Sequence, residues 1–220
     1  MISQMNIIPT ISSLFHRRRD VSRSKSPAGV NLANLVSIPR APIKGNQFTL
    51  ANVNTRSVRN KVSSFVDYVI DSKLDICFVT ETWLNDQDSV VRNEITPDGY
   101  VFKDHHRNGQ IGGGTGVLCR SSLGLQKISG GQKRSFEYSE YIVKLDNRKC
   151  HLHAIYRPPY SEGHPVNVSV FCDEFADYLE SVVISVNPFV ISYICDICYI
   201  LLFLYSPLNI VYTIVKDLNK

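Results

Sequence analysis

Residues 48–80 contain the pattern that most constrains the fold of this chain. Residues 48–53 form a short apolar segment that ends in a polar loop, which is typical of a buried strand. Apolar residues then recur at three- and four-residue steps and predict a helix with Ser57 as its N-cap. Residues 75–80 predict a second buried strand. A strand, a helix and a strand over about 30 residues indicate a crossover between neighbouring strands.

The following residues continue the alternation of strands and helices. Strands are predicted at residues 100–102, 117–119, 139–145 and 150–156, with a turn at 146–148 between the last two. Residues 167–183 place their apolar side chains on one face and predict a final helix. The predicted fold class is therefore α+β, or α/β-like, with a mixed sheet that packs against helices.

Charge and composition divide the chain into three parts. Residues 1–47 contain seven basic residues and one acid, are rich in Ser and Pro, and predict a flexible basic leader. Residues 48–185 are predicted to be globular, and residues 186–220 are an apolar tail. The formal net charge of +4 comes from the leader, because residues 48–220 sum to −2. The total charge therefore does not indicate a nucleic-acid-binding core.

The six cysteines do not show the spacing of a disulfide scaffold. Cys195 and Cys198 form a Cys-x-x-Cys pair, but a zinc site of this type needs a second ligand pair, and redox chemistry needs a strand-to-helix setting. We interpret both cysteines as apolar residues without a chemical role. This cysteine usage favours a reduced, intracellular environment.

Polar residues stand where three predicted strands end. Asn54 ends the first strand, Glu81 ends the second, and Tyr156 ends a later one beside Arg157. Ligand sites in open α/β sheets form at strand ends, and a carboxylate beside an Asn suits a hard cation such as Mg²⁺. Ordinary loop capping explains any one of these residues, whereas three of them together predict a site.

A glycine-rich segment at residues 112–116 resembles a phosphate-binding loop only in composition. It leads into a strand rather than into a helix N-terminus, so close backbone packing is the better interpretation. His105 and His106 lie in a charged segment that could face phosphates, although a solvated loop is the simpler explanation.

Four segments, in this order, resemble the endonuclease/exonuclease/phosphatase superfamily, and more closely the apurinic-type endonuclease domain of non-LTR retrotransposon polyproteins. They are Ala51-Asn52-Val53-Asn54-Thr55-Arg56-Ser57, Val79-Thr80-Glu81-Thr82-Trp83, Gly112-Gly113-Gly114-Thr115-Gly116 and Ile155-Tyr156-Arg157-Pro158-Pro159. The resemblance implies a metal-dependent phosphodiesterase that nicks DNA. It also implies a four-layer β-sandwich flanked by helices, and a nuclear or cytoplasmic location.

The resemblance implies roles for individual residues. Asn54 matches the family's first-motif Asn better than Asn52 does, because the Asn-x-Arg-Ser pattern continues only from Asn54. Glu81 matches the Mg²⁺-binding Glu, with Asn54 beside it as a second metal-site residue, and Tyr156 matches the active-site Tyr. The implied cofactor is Mg²⁺ and the implied partner is DNA. Four basic residues are candidates for contact with its backbone, namely Arg56, Arg59, Lys61 and Arg157.

The chain departs from the family pattern after its last predicted helix. No Gly-Asp pair follows Ser185 and the last His is His164, so the family's Asp-x-Asn and Asp-His motifs are missing. The sequence therefore predicts a partial sandwich, truncated after that helix. Our preferred hypothesis is a catalytically inactive fragment with residual DNA affinity, and the alternative is an active Mg²⁺-dependent endonuclease.

The apolar tail allows three interpretations. Residues 189–205 are almost continuously apolar, and an extension to residue 215 would be long enough for a C-terminal membrane anchor. Asp196 is unfavourable inside a bilayer, and the β-branched and aromatic content equally suits buried strands. We favour a third interpretation, in which the reading frame leaves the domain and the tail is read-through sequence. A tail-anchored membrane protein is the remaining functional alternative.

Overall fold

A computed structural model describes residues 47–107, 112–145, 148–183, 189–194, 199–204 and 209–215. The described helices are α1 (Val62–Asp71), α2 (Ser89–Glu94) and α3 (Val168–Val183), with a 3₁₀ turn at Ser121–Leu123. The described strands are β1 (Gln47–Asn54), β2 (Ile76–Thr80), β3 (Tyr100–His105), β4 (Thr115–Arg120), β5 (Gln126–Gln132), β6 (Glu137–Leu145), β7 (Arg148–Tyr156), β8 (Phe189–Ile194), β9 (Tyr199–Leu204) and β10 (Asn209–Val215).

The strands form two five-stranded sheets, both of mixed direction. The first sheet has the order β10-β1-β2-β4-β3, and the second has the order β5-β6-β7-β8-β9. β1 and β2 are parallel, with Leu50 opposite Ile76 and Asn54 opposite Thr80. This pairing confirms the predicted crossover, because α1 is the helix that connects the two strands. Asn54 and Glu81 are therefore brought to the same edge of the first sheet.

The layers follow from the alternation of side chains along the strands. Phe48 and Leu50 of β1 point towards the second sheet and join one buried apolar cluster with residues of β6 and β7. Ala51 and Val53 point the other way and pack with Phe65 and Val69 of α1 in a second cluster. The helix α3 covers the outer face of the second sheet, where Tyr178 contacts His153. The layer order is helix, sheet, sheet, helix, which confirms the predicted α+β sandwich.

The start of α1 differs from the prediction. The helix begins at Val62 rather than next to Ser57, and Lys61 occupies its N-cap position. Ser57 has a φ of 74° and its backbone N–H donates to the carbonyl oxygen of Glu81 over 2.8 Å. The residue thus ties the first strand-end loop to the second, a long-range contact that helix-capping preferences do not reveal.

The chain also contributes strands after α3, where the sequence predicted an apolar tail beyond the family-like domain. β8 pairs in parallel with β7 in the second sheet, and β10 pairs in parallel with β1 in the first. Among the described residues, no helix is both long enough and apolar enough to cross a bilayer. The candidate anchor at 189–215 instead contributes strands in its described parts.

Three sequence interpretations lie outside the described residues. The basic leader, predicted at residues 1–47, lies outside them except for Gln47, which begins β1. The predicted turn between β6 and β7 includes residues 146–147, and the Cys-x-x-Cys pair spans residues 195–198. The predictions made for these segments stay predictions.

Candidate active site

The layer between the two sheets changes from apolar to polar along the strands. On β1, Phe48 and Leu50 are followed on the same face by Asn52 and Asn54, which are also buried. Thr115 of the first sheet lies 2.6 Å from Ser139 of the second, measured between their hydroxyl oxygens. Such buried polar groups are tolerated because they find hydrogen-bond partners across the layer. This polar end of the sandwich contains the candidate site.

Glu81 lies at the centre of the polar end and is 8% exposed. Its Oε1 accepts a hydrogen bond from Asn54 Nδ2 over 2.7 Å and another from the Tyr156 hydroxyl over 3.0 Å. The three residues come from the ends of β1, β2 and β7. The structure therefore brings together all three residues that the sequence placed at strand ends.

The backbone around Glu81 is held in an uncommon conformation. Glu81 has a φ of 53° and Trp83 a φ of 55°, values that non-glycine residues rarely adopt. The N–H of Trp83 donates to the Gly113 carbonyl over 3.0 Å, and the N–H of Ser57 to the carbonyl of Glu81. Contacts from both sides thus hold the loop in place, as expected of strained backbone at a functional site.

The glycine-rich segment packs against this loop. A Cβ at Gly114 would lie 2.5 Å from Thr82 Oγ1, and one at Gly113 would lie 2.5 Å from Glu137 Oε1. Both glycines also have positive φ values, of 86° and 67° respectively. The distances confirm the sequence interpretation of close backbone packing rather than a phosphate-binding loop.

Sequence reasoning missed a second buried carboxylate at the polar end. Glu137, at the start of β6, is 4% exposed and forms an ion pair with Arg107. Its Oε2 accepts a hydrogen bond from the backbone N–H of Gly114 over 2.8 Å. Burial lowers the pKa of His164, and the positive charges of Arg107 and Arg157 lower it further. No local sequence signal connects these residues, because they are brought together only by the packing of the two sheets.

The four basic residues predicted to contact DNA have different environments. Arg56 is exposed at the end of the first strand-end loop. Arg59 is paired with Asp88, with Nε 3.0 Å from Oδ1. Lys61 Nζ donates to the backbone carbonyl oxygens of Thr55 and Arg56, so it supports the loop itself. Arg157 is only 8% exposed, and its guanidinium carbon lies 5.2 Å from the centre of the Phe171 ring.

The profile of the endonuclease/exonuclease/phosphatase family matches residues 49–189, which include Asn54, Glu81 and Tyr156. The chain belongs to this family. No curated protein is significantly similar to it in sequence.

Several solved structures are similar to this chain. An AP endonuclease from Leishmania major has a TM-score of 0.50 and 18% identity, with 67% of this chain and 54% of that chain covered. A D. rerio TDP2 complexed with a single-strand DNA product has a TM-score of 0.42 and 11% identity, covering 64% and 58% of the two chains. A Bacteroides thetaiotaomicron mannosyl-6-phosphatase has a TM-score of 0.42 and 11% identity, covering 67% and 63%. The chain thus spans less than two thirds of the length of each of these proteins.

The donor set of the site fits a hard divalent cation such as family members use. Glu81 provides a buried carboxylate, and oxygen ligands are those that Mg²⁺ prefers. Asn54 presents its Nδ2 to Glu81 while its Oδ1 accepts from the backbone N–H of Arg56 over 3.1 Å. In this arrangement Asn54 orients the carboxylate, and Glu81 is the residue that could hold the ion.

The site also has an exposed aromatic neighbour. Trp83 is the only tryptophan of the chain and lies two residues after Glu81. Its side chain is 38% exposed. A large aromatic face at the mouth of a polar site is suited to stacking against a nucleic-acid base. Trp83 lies within one of the four family-like segments, but the sequence by itself gave no role for its side chain.

Proposed function

We propose that this chain derives from a retrotransposon-type, Mg²⁺-dependent DNA endonuclease of its family, and that it binds metal and DNA without efficient hydrolysis. The observation that carries the proposal is the convergence of Asn54 and Tyr156 on one oxygen of Glu81. The convergence supports a preserved metal-binding half of the site. A bound Mg²⁺ would neutralise a phosphate and stabilise a leaving oxygen.

The residues around Glu81 supply orientation and charge. Asn54 holds the carboxylate in place, and the Tyr156 hydroxyl could turn towards a phosphate oxygen that enters the site. Arg157 is fixed by its contact with Phe171 and adds a buried positive charge next to Tyr156. Trp83 provides a stacking surface for a base. These features support recognition of a DNA phosphate.

Phosphodiester hydrolysis also requires a base that activates water. The proposal of weak activity rests on the described carboxylates near the site, because their oxygens are already engaged. Glu81 would be engaged with the metal. Both oxygens of Glu137 are already engaged, one by Arg107 and the other by the Gly114 N–H. At the buried position on β8 that faces Asn52, the chain has Ser192 rather than an acid.

A nicking assay with supercoiled DNA and with an abasic duplex tests the proposal. The full chain should bind Mn²⁺, used as a spectroscopic substitute for Mg²⁺, at a site whose affinity Glu81→Gln lowers at least tenfold. Cleavage with Mg²⁺ should stay at the level of the Glu81→Gln variant. Glu137→Gln is a matched control, because it removes a neighbouring buried carboxylate that we do not assign to the metal.

The same assay distinguishes the second candidate, an active Mg²⁺-dependent endonuclease, which the intact Asn54, Glu81 and Tyr156 cluster favours. Mg²⁺-dependent nicking well above the Glu81→Gln level would establish that activity and overturn the proposed loss of hydrolysis. An absence of Mn²⁺ binding by a folded chain would overturn both candidates.

A further inference from the structure

A second cluster of potential metal ligands lies on the opposite face of the second sheet from the candidate active site. One potential ligand atom from each of Glu140, His151 and His153 lies within 4.8 Å of the others. Alternation along β6 and β7 separates the two sites: Ser139 and Tyr141 point into the layer between the sheets, whereas Glu140 points outwards beneath α3. The cluster is therefore independent of Glu81.

The cluster borders a cavity of about 250 Å³. Tyr138, Tyr178 and Lys133 line the same cavity. His153 is 1% exposed, while Glu140 and His151 are half-buried. A cavity of this size can hold an ion together with a water molecule that completes its coordination.

The hydrogen bonds around the cluster orient its potential ligands. His151 Nδ1 lies 3.0 Å from Glu140 Oε1, and the other carboxylate oxygen, Oε2, accepts a hydrogen bond from Ser129 Oγ over 3.0 Å. His153 Nδ1 lies 2.7 Å from the Tyr178 hydroxyl oxygen. When Nδ1 of His153 donates its proton to that oxygen, Nε2 presents a lone pair. Such outer partners fix the tautomer and direction of metal-binding side chains.

The residue types also suit a metal. Imidazole nitrogens are common ligands of divalent transition metals. Two histidines and one carboxylate are a zinc donor set that leaves the fourth position for water. Ligands about 2.1 Å from a tetrahedral ion lie about 3.4 Å apart, so a pair of ligand atoms at the 4.8 Å limit of the cluster must approach by about 1.4 Å.

We propose that Glu140, His151 and His153 bind a divalent transition metal of the zinc class. The ion lies between His151 Nδ1 and Glu140 Oε1, and a proton on Nδ1 moves through solvent to Nε2, so that Nδ1 can bind the ion. It links β6 to β7 directly and, through the contact between His153 and Tyr178, supports α3. The proposed role is to stabilise the outer layer of the second sheet, separately from phosphodiester chemistry.

Zinc binding by the full chain tests this proposal once competing ligands are removed. The reference protein carries Glu81→Gln, Cys195→Ser and Cys198→Ser, which eliminate the candidate active site and the Cys-x-x-Cys pair. After dialysis against ZnCl₂, it should retain about one Zn²⁺ per chain. The melting temperature should rise with Zn²⁺, and Co²⁺ in the same site should give visible absorption typical of tetrahedral nitrogen and oxygen ligands.

Three further substitutions in this reference protein locate the site. His151→Asn and Glu140→Gln should each weaken Zn²⁺ binding at least tenfold and abolish the rise in melting temperature. His164→Asn is the matched control and should leave both unchanged, because His164 is a half-buried histidine outside the cluster. Circular dichroism verifies that each variant is folded. The proposal would be overturned by a reference protein that binds no Zn²⁺, or by His151→Asn and Glu140→Gln variants that bind Zn²⁺ as tightly as the reference protein does.

Discussion

The two ends of the layer between the sheets have opposite properties although the same strands form both. One end is apolar, with Leu50 on β1 and Leu152 on β7 fully buried. The other end is polar, with Asn54 at the end of β1 and Tyr156 at the end of β7, both hydrogen-bonded to Glu81. The change occurs within four residues along each strand. The sandwich thus buries apolar side chains at one end and places its polar groups at the other.

The largest expected effect comes from disrupting the apolar end. Phe78 on β2 is fully buried and belongs to the cluster between the sheets. Phe78→Ala should reduce the free energy of unfolding by about 4 kcal/mol, because it removes buried apolar surface and leaves a cavity. Urea denaturation measures this change. A loss below about 1 kcal/mol would show that the two ends do not differ in their contribution to stability.

A smaller loss is expected from the ion pair at the polar end. Arg107→Ala leaves Glu137 buried without its charged partner, although the Gly114 N–H still donates to it. The free energy of unfolding should fall by about 3 kcal/mol at pH 7. The double variant Arg107→Ala with Glu137→Gln should recover part of the loss. Equal stability of the single and double variants would contradict the proposed cost of the unpaired carboxylate.

The hydrogen bond from Tyr156 to Glu81 is expected to affect binding more than stability. Tyr156→Phe removes only the hydroxyl, so the free energy of unfolding should change by about 1 kcal/mol. The affinity for Mn²⁺ should also fall, because Glu81 loses one of the two groups that orient its carboxylate. Tyr141→Phe is a suitable control at the same layer, since Tyr141 is buried on β6 but belongs to the apolar cluster. If Tyr156→Phe and Tyr141→Phe changed Mn²⁺ affinity equally, the expected difference between the polar end and the apolar end in metal binding would be contradicted.

The smallest effect is expected at the surface, beyond both ends of the layer. Arg59 pairs with Asp88, and this contact lowers the pKa of the Asp88 carboxyl. Arg59→Ala should reduce the free energy of unfolding by about 0.5 kcal/mol at pH 7, because solvent screens an exposed pair. A lowered folded pKa contributes stability above the unfolded pKa, and this is lost as pH falls through the folded value. The difference between variant and wild type in urea titrations should therefore shrink as the pH falls below the unfolded aspartate pKa of about 3.9.

Sequence periodicity predicted much of the fold because periodicity depends on local burial. The apolar segment at residues 48–53 and the helical spacing in residues 62–70 correspond to β1 and α1, and residues 139–145 and 150–156 correspond to β6 and β7. The helix α2 and the strands β5, β8, β9 and β10 had no comparable prediction. β5 contains two adjacent glycines, and β9 lies in an apolar run whose length fits a helix or a strand equally well.

The candidate site could be predicted only in part. Asn54, Glu81 and Tyr156 follow strands that the sequence marks clearly, so their position at strand ends was accessible. The partnership of Arg107 with Glu137 joins residues 30 positions apart, and that of Ser192 with Asn52 joins residues 140 apart. Neither has a local signal, because each depends on which strands face each other across the layer.

By itself, the sequence determined where the buried strands end and which polar residues follow them. It did so because burial imposes a period of two on strands and of about 3.6 on helices. Only the tertiary structure decided that the hydroxyl of Tyr156 reaches Glu81 from the other sheet, and that Glu140, His151 and His153 meet on its outer face. The reason is physical: sheet packing and strand order join residues far apart in the chain, and the free energy of that packing is spread over the whole layer.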